Sequence, residues 1–294
     1  MVHKKNNKRR FIRRLAVVIF LGFAIAMTAT VLYLTPIPTI VGDLDDRAIS
    51  AERLKRWYTY RTGNALPHTP DLTNLKGRLA ARRFKYGAPI FLRIFKRSFE
   101  LEVWLKRGDR FYLFENYPIC GYSGRLGPKY KEGDRQSPEG IYTVAKKQLN
   151  PNSRWHRSFN LGYPNSFDRT HGRTGSFLMV HGGCQSIGCY AMTDPVIDEL
   201  WRLINAAFDN GQKSFQVQSF PFRLTDEALR NRKDHQHHEF WADLKVGHDL
   251  FEATGIPPRP SVCRGRYRFK PGQAGSNGSA SVRNSCPQVT QTGR

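Results

Sequence analysis

VHGGCQSIGCYAMTD, residues 180–194, decides how this chain is read. It closes an apolar stretch, FLMVHGG (177–183), that reads as a strand running into a glycine turn. Ser186-Ile187-Gly188 then leads to Cys189, and Thr193-Asp194-Pro195 caps a helix, VIDELWRLINAAFDNG, that Gly211 ends. A cysteine in such a turn can receive two kinds of help. The neighbouring imidazole of His181 can take its proton, because the thiolate is the nucleophile. Backbone N–H groups of the turn can face a developing oxyanion, and Gly188 has no side chain to block a substrate carbonyl. Three other readings fit the same residues. Cys189 can be a small buried apolar residue. His181, Cys184, Cys189 and His171 can hold zinc, although H-x2-C-x4-C is not a common structural zinc spacing. A Cys184–Cys189 disulfide would silence the thiol or switch it.

Working outward, the preceding sequence reads as mainly β. PIFLRIFK, SFELEVWLK and RFYLFENYPICGYSG (89–124) are short, aromatic and alternating, with breaks at Arg97–Ser98 and Gly108–Asp109, as in a meander. GRLGPKYKEGDRQSPEG (124–140) is a long loop, IYTVAKK (141–147) a strand, and residues 148–176 an irregular stretch suited to a lid or groove wall. SFQVQSFPF (214–222) is a last strand, and residues 223–256 are a polar helical extension. Upstream, residues 35–87 read as a linker followed by an amphipathic helix over 72–84. After Pro257 the hydrophobic period is lost, so 257–294 reads as a disordered basic tail.

The 294 residues carry 47 Lys and Arg against 24 Asp and Glu, a net charge of +23. Seven of the cations lie in residues 1–14 and seven in 255–294, so the excess sits mostly at the ends. No aromatic-basic RNA motif, zinc finger or helix-turn-helix accompanies it, which argues against a nucleic-acid partner. The basic segment 1–14 precedes LAVVIFLGFAIAMTATVLYL (15–34), a charge-free run long enough to span a bilayer. The positive-inside rule leaves the N-terminus cytoplasmic and exports the rest. The run's length favours an uncleaved transmembrane anchor; Ala24, Ala26 and Ala29 leave room for signal cleavage. The five cysteines, Cys120, Cys184, Cys189, Cys263 and Cys286, would then face an oxidising compartment, where an odd number leaves one thiol over.

Val180-His181-Gly182 followed by Ser186-Ile187-Gly188-Cys189 resembles the active-site pattern of YkuD-type L,D-transpeptidases. GDRQSPEGIYTV (133–144) resembles a second motif of the same domain, in the right order, and the long form is similar to the YafK-like branch. The resemblance covers roughly residues 88–222. It implies a YkuD-like β-sandwich or barrel, flanked by helices, and a cysteine acyl-transfer enzyme without metal or cofactor. Cys189 is then the nucleophile and His181 the general base. The Gly182 carbonyl orients the imidazole, and the N–H groups of Gly188 and Cys189 form the oxyanion site. The implied substrate is the peptidoglycan stem peptide at meso-diaminopimelate, with wall-bound lipoprotein as a further partner. The implied location is the periplasmic side of the bacterial inner membrane, anchored through residues 15–34. Two departures stand out. Ala191 occupies a position that is arginine in many relatives, and Ile187 one that is usually His or Lys. Substrate-binding candidates are therefore sought elsewhere: Ser186, His171, Arg173, Arg125 and Arg135, with Lys129 and Arg169 on the same loops. The lost arginine also motivates an alternative, a catalytically silent wall- or lipid-binding module of the same fold.

Overall fold

The computed structural model describes residues 38–286. Its N-terminal half holds helices α1 (Pro38–Arg61) and α2 (Leu75–Ala81) and strands β1 (Ile90–Phe95), β2 (Glu100–Arg107), β3 (Arg110–Pro118) and β4 (Gly121–Tyr122). Next come β5 (Gly140–Ala145), β6 (Leu149–Ser153), β7 (His156–Asn160), the short helix α3 (Ser166–Thr170), β8 (Met179–His181) and β9 (Tyr190–Ala191). The chain continues through α4 (Asp194–Asp209), β10 (Ser214–Phe220), α5 (Asp226–Arg230) and α6 (His238–Thr254). It closes with β11 (Arg259–Cys263), β12 (Arg266–Lys270) and β13 (Arg283–Asn284).

The expected meander is present as β1–β2–β3, antiparallel throughout. It continues into an open five-stranded sheet, β3-β2-β1-β10-β5, in which β10 lies parallel to β1. Strand β1 is buried at every position because it is central and covered on both faces. Its one cation, Arg93, is paired with Glu252 at 2.6 Å and enclosed by the rings of Phe95, Trp104 and Phe251. A second five-stranded sheet, β4-β9-β8-β7-β6, carries the segment quoted at the outset. Helix α4 packs against both sheets, on β1 and β7, through Val196, Ile197, Leu200, Leu203 and Ile204. Both sheets have free edges, so the fold is α+β with open sheets and the barrel expectation is corrected.

Two other expectations change. Residues 35–49 were expected to be a linker, but from Pro38 they belong to α1, which starts at a proline and runs through Gly42 to Arg61. Arg53 of α1 donates to the Gly124 carbonyl and Arg56 to that of Ile119, tying the helix beside the second sheet. The leader, 15–34, lies outside the described residues; among those described, no helix is long and apolar enough to cross a membrane.

The larger correction concerns the C-terminus, expected to be a disordered tail over 257–294. Residues 259–284 instead form a three-stranded sheet, β12-β11-β13, closed by a Cys263–Cys286 disulfide. Sparse apolar residues suffice there because each is placed on the domain. Tyr267 is buried, its ring stacks on Phe167 at 4.1 Å, and its hydroxyl accepts from Asn165 Nδ2 at 2.9 Å. Phe269 lies so close to Gly247 of α6 that a Cβ there would stand 2.5 Å from the ring. Tyr267→Ala should therefore cost about 3–5 kcal/mol of unfolding free energy in chemical denaturation. A loss below roughly 0.5 kcal/mol, typical of a surface substitution, would return this segment to the status of a loose tail.

Candidate functional site

His181 ends β8 and Cys189 immediately precedes β9. These strands are parallel neighbours, with Val180 opposite Tyr190 and His181 opposite Ala191. The same register brings Cys189 beside Met179, whose N–H donates to Cys189 Sγ at 3.4 Å. The thiol in turn points at the Phe177 carbonyl, 3.6 Å away. Cys189 is half-buried and is the free cysteine, because Cys120 pairs with Cys184 and Cys263 with Cys286. The Cys184–Cys189 alternative is thereby overturned.

Imidazole geometry is fixed from two sides. Nδ1 lies 2.6 Å from the Gly182 carbonyl oxygen, which can only accept, so Nδ1 carries the proton and Nε2 keeps its lone pair. The Trp155 ring stacks on the imidazole at 5.8 Å, and Met192 N–H donates to the His181 carbonyl at 2.7 Å. Asp194, at the start of α4, accepts from Gly183 N–H at 2.7 Å and so pins the glycine turn. A side chain at Gly182 would collide with this carboxylate, since an added Cβ would sit 2.6 Å from Oδ1.

Three hydroxyls hold the cysteine's backbone. Ser137 Oγ and Ser186 Oγ donate to the Cys189 carbonyl at 2.8 and 2.7 Å. Ser123 Oγ accepts from Gly188 N–H at 2.5 Å. Gly188 has φ of +118°, a conformation open to glycine and strained for other residues, and a Cβ there would stand 3.2 Å from Leu178. The expected oxyanion donor Gly188 N–H is engaged by Ser123 Oγ in this structure, and the substrate-binding candidate Ser186 supports the cysteine's backbone.

Burial shifts both His181 and Cys189 towards their neutral forms. Burial pulls the His181 imidazole below its ordinary value, against the Gly182 carbonyl and the charge of Asp194. Burial pushes the Cys189 thiol above its ordinary value, against the Met179 N–H and the charge of Lys129.

The basic candidates separate clearly. Arg173 is buried, paired with Asp168 at 2.9 Å and stacked near Phe167 and Phe240, so it serves the fold. His171 caps α3, with Nδ1 2.9 Å from the Phe167 carbonyl, and packs on the Phe167 ring. Arg125 is largely exposed and pairs with Asp46 at 3.2 Å. Arg135 is exposed on a turn with φ of +54°. Arg169 donates to the Pro164 carbonyl and to Ser166 Oγ. Lys129, buried against Asp134, is the loop cation whose charge opposes the upward shift of the Cys189 thiol. Reading the sequence missed Ser123, Ser137 and Asp194 as site residues. Ser137 lies inside the SPEG motif, which was a signal; a lone serine at 123 offers none. Among the described residues, no group of three or more His, Cys, Asp or Glu side chains converges to hold a metal ion.

Comparison with known proteins agrees with this geometry. Residues 98–243 match the family model of the YkuD L,D-transpeptidase catalytic domain. The chain is 47% identical over 181 residues to a protein of Escherichia coli (strain K12) provisionally named L,D-transpeptidase YafK, covering 62% of this chain and 74% of that protein. Among solved structures, the helical cell shape determining protein Pgp2 of Campylobacter jejuni aligns at 19% identity and a TM-score of 0.37, over 62% of this chain and 65% of that one. Bd1075 of Bdellovibrio bacteriovorus aligns at 19% identity and a TM-score of 0.33, over 56% and 57%. The chain thus spans less than two thirds of each of those two structures. On the matched domain and on its likeness to the Escherichia coli protein, the chain belongs to the YkuD family of L,D-transpeptidase catalytic domains.

Proposed function

We propose that this protein is a peptidoglycan-modifying cysteine acyl-transfer enzyme, acting at meso-diaminopimelate of the stem peptide on the periplasmic side of the inner membrane. One observation carries the reading. His181 has its Nδ1 committed to the Gly182 carbonyl, on a strand paired in parallel with the strand that Cys189 opens. In that register His181 lies opposite Ala191, two residues from Cys189, the one free thiol among the described residues. Family membership and the name of the Escherichia coli relative support the substrate class.

In the first step Cys189 Sγ bonds to the amide carbonyl carbon while its proton passes to His181 Nε2. Negative charge moves to the carbonyl oxygen, where Cys189 N–H stabilises it; Gly188 N–H would have to leave Ser123 to contribute. The C–N bond then breaks, and the departing amine takes the proton from His181. A thioester remains. Attack by an amine makes a transpeptidase, and attack by water makes a hydrolase that can release wall-bound lipoprotein. Residues 15–34 supply the membrane anchor in this reading.

The protein and its Cys189→Ala variant should be incubated with sacculi bearing covalently bound lipoprotein, and the products analysed by mass spectrometry. Cys189-dependent 3→3 crosslinks, or lipoprotein release with water incorporated, are the expected outcomes and identify the acceptor. Unchanged sacculi with a folded wild-type protein would favour the silent binding module.

The neutral resting pair makes a separate prediction. Carbamidomethylation of Cys189 by iodoacetamide should be slow at neutral pH and rise through a midpoint above the ordinary thiol value of about 8.5. Turnover should persist below pH of about 6.5, because a depressed imidazole stays unprotonated there, and fall only at more acid pH. Rapid alkylation at neutral pH that is insensitive to pH would mean a preformed thiolate–imidazolium pair instead.

A further inference from the structure

Beneath the site lies a fully buried ion pair that the chemistry above does not use. Lys96 Nζ and Glu139 Oε1 are 2.9 Å apart, and both side chains have no exposed surface. The ammonium also donates to the carbonyls of Arg125, Gly127 and Ser137 at 2.6, 3.1 and 3.2 Å. These acceptors all belong to one loop. Glu139 Oε1 accepts in addition from Gly127 N–H at 2.6 Å. Its other oxygen, Oε2, accepts from the indole N–H of Trp241 on α6 at 2.9 Å. Its cationic partner is thus the lysine that directly follows β1.

The loop so fastened is closed at its neck. Ser137 N–H donates to the Ser123 carbonyl at 3.0 Å, and Ser123 N–H to Ser137 Oγ at 3.1 Å. That neck holds Cys189 on both sides: Ser123 Oγ takes Gly188 N–H, and Ser137 Oγ donates to the Cys189 carbonyl. An ion pair without solvent is a costly device for stability alone, since apolar residues of similar volume often serve as well. Its geometry here is that of a cage: one cation drawing three carbonyls of a surface loop to a fixed point.

We propose that Lys96 and Glu139 are positioning residues for Cys189, and that Trp241 makes helix α6 part of the same device. The chain of contacts runs from Trp241 to Glu139, to Lys96, to the Ser123–Ser137 neck, and to the peptide groups flanking Cys189. This inference rests on reading Cys189 as the nucleophile.

The test uses the full-length protein with Trp241→Phe and Ser137→Ala, which remove one link each while keeping the ion pair. Lys96→Met is added if it folds. Three quantities are read: kcat and KM on the peptidoglycan substrate, the second-order rate of Cys189 alkylation, and Tm. The expected result is a fall in kcat on the order of tenfold, with KM within twofold, and an altered alkylation rate, because misplacing a reacting group by a fraction of an ångström is costly. Wild-type kcat and wild-type alkylation in both variants, whatever the Tm, would overturn the proposal and leave the ion pair a support of the fold. Retained turnover in Cys189→Ala would instead overturn the reading of the nucleophile, while the alkylation rates would still report on its placement.

Discussion

Everything at this site depends on a tight parallel turn. Parallel strands are ordinarily joined by a crossover of about a dozen residues or more. Here β8 ends at His181 and its parallel neighbour β9 begins at Tyr190. Such a short return exists because the strands are only three and two residues long and because the return is fastened along its length. Asp194 holds its first glycines, the Cys120–Cys184 bridge holds its middle, and the serine hydroxyls hold its end. Glycines at 183 and 188 have the positive φ that the turn demands. Fastening also preorganises the site: the thiol and the imidazole are placed by backbone bonds and not by long flexible side chains.

The disulfide plays a second part in this arrangement. It consumes Cys184, the thiol five residues from the candidate nucleophile, and so keeps that neighbour from capping Cys189. In an oxidising compartment a lone thiol persists only if every competing cysteine is already engaged. Both described bridges meet that condition, and each also ties a late segment of the chain to an earlier one.

Much of this was legible in the residues. Alternating aromatic strands, the Thr193-Asp194-Pro195 helix start and the HGG…SIGC segment all carry local signals that tertiary structure did not override. The C-terminal segment failed for a physical reason. Its burial rests on a few aromatic residues and one disulfide, and neither produces a hydrophobic period. The partners of the basic candidates were hidden for another. A cation on a loop looks available in a sequence, yet Arg173 and Arg125 pair with Asp168 and Asp46, which no spacing rule predicts. Ser123 was illegible as a site residue because its importance comes from the neck of a loop, a relation that only folding creates, whereas Ser137 carried the signal of the SPEG motif.

The missing arginine is itself explained by packing. Ala191 is fully buried, lying between Gly121 of β4 and His181 of β8 in the same sheet. Its neighbour Gly121 is packed so closely on the Cys184 carbonyl that an added Cβ would be 2.8 Å from the oxygen. Ala191 has no exposed surface, so a longer side chain there would have to displace its packed neighbours. Lys129 is the cation whose charge reaches Cys189, and its ammonium is held by Asp134 at 2.5 Å and by the Lys131 carbonyl at 2.9 Å. A charge fixed in that way favours the thiolate as it forms without creating one at rest, which is what a buried neutral pair requires of its surroundings.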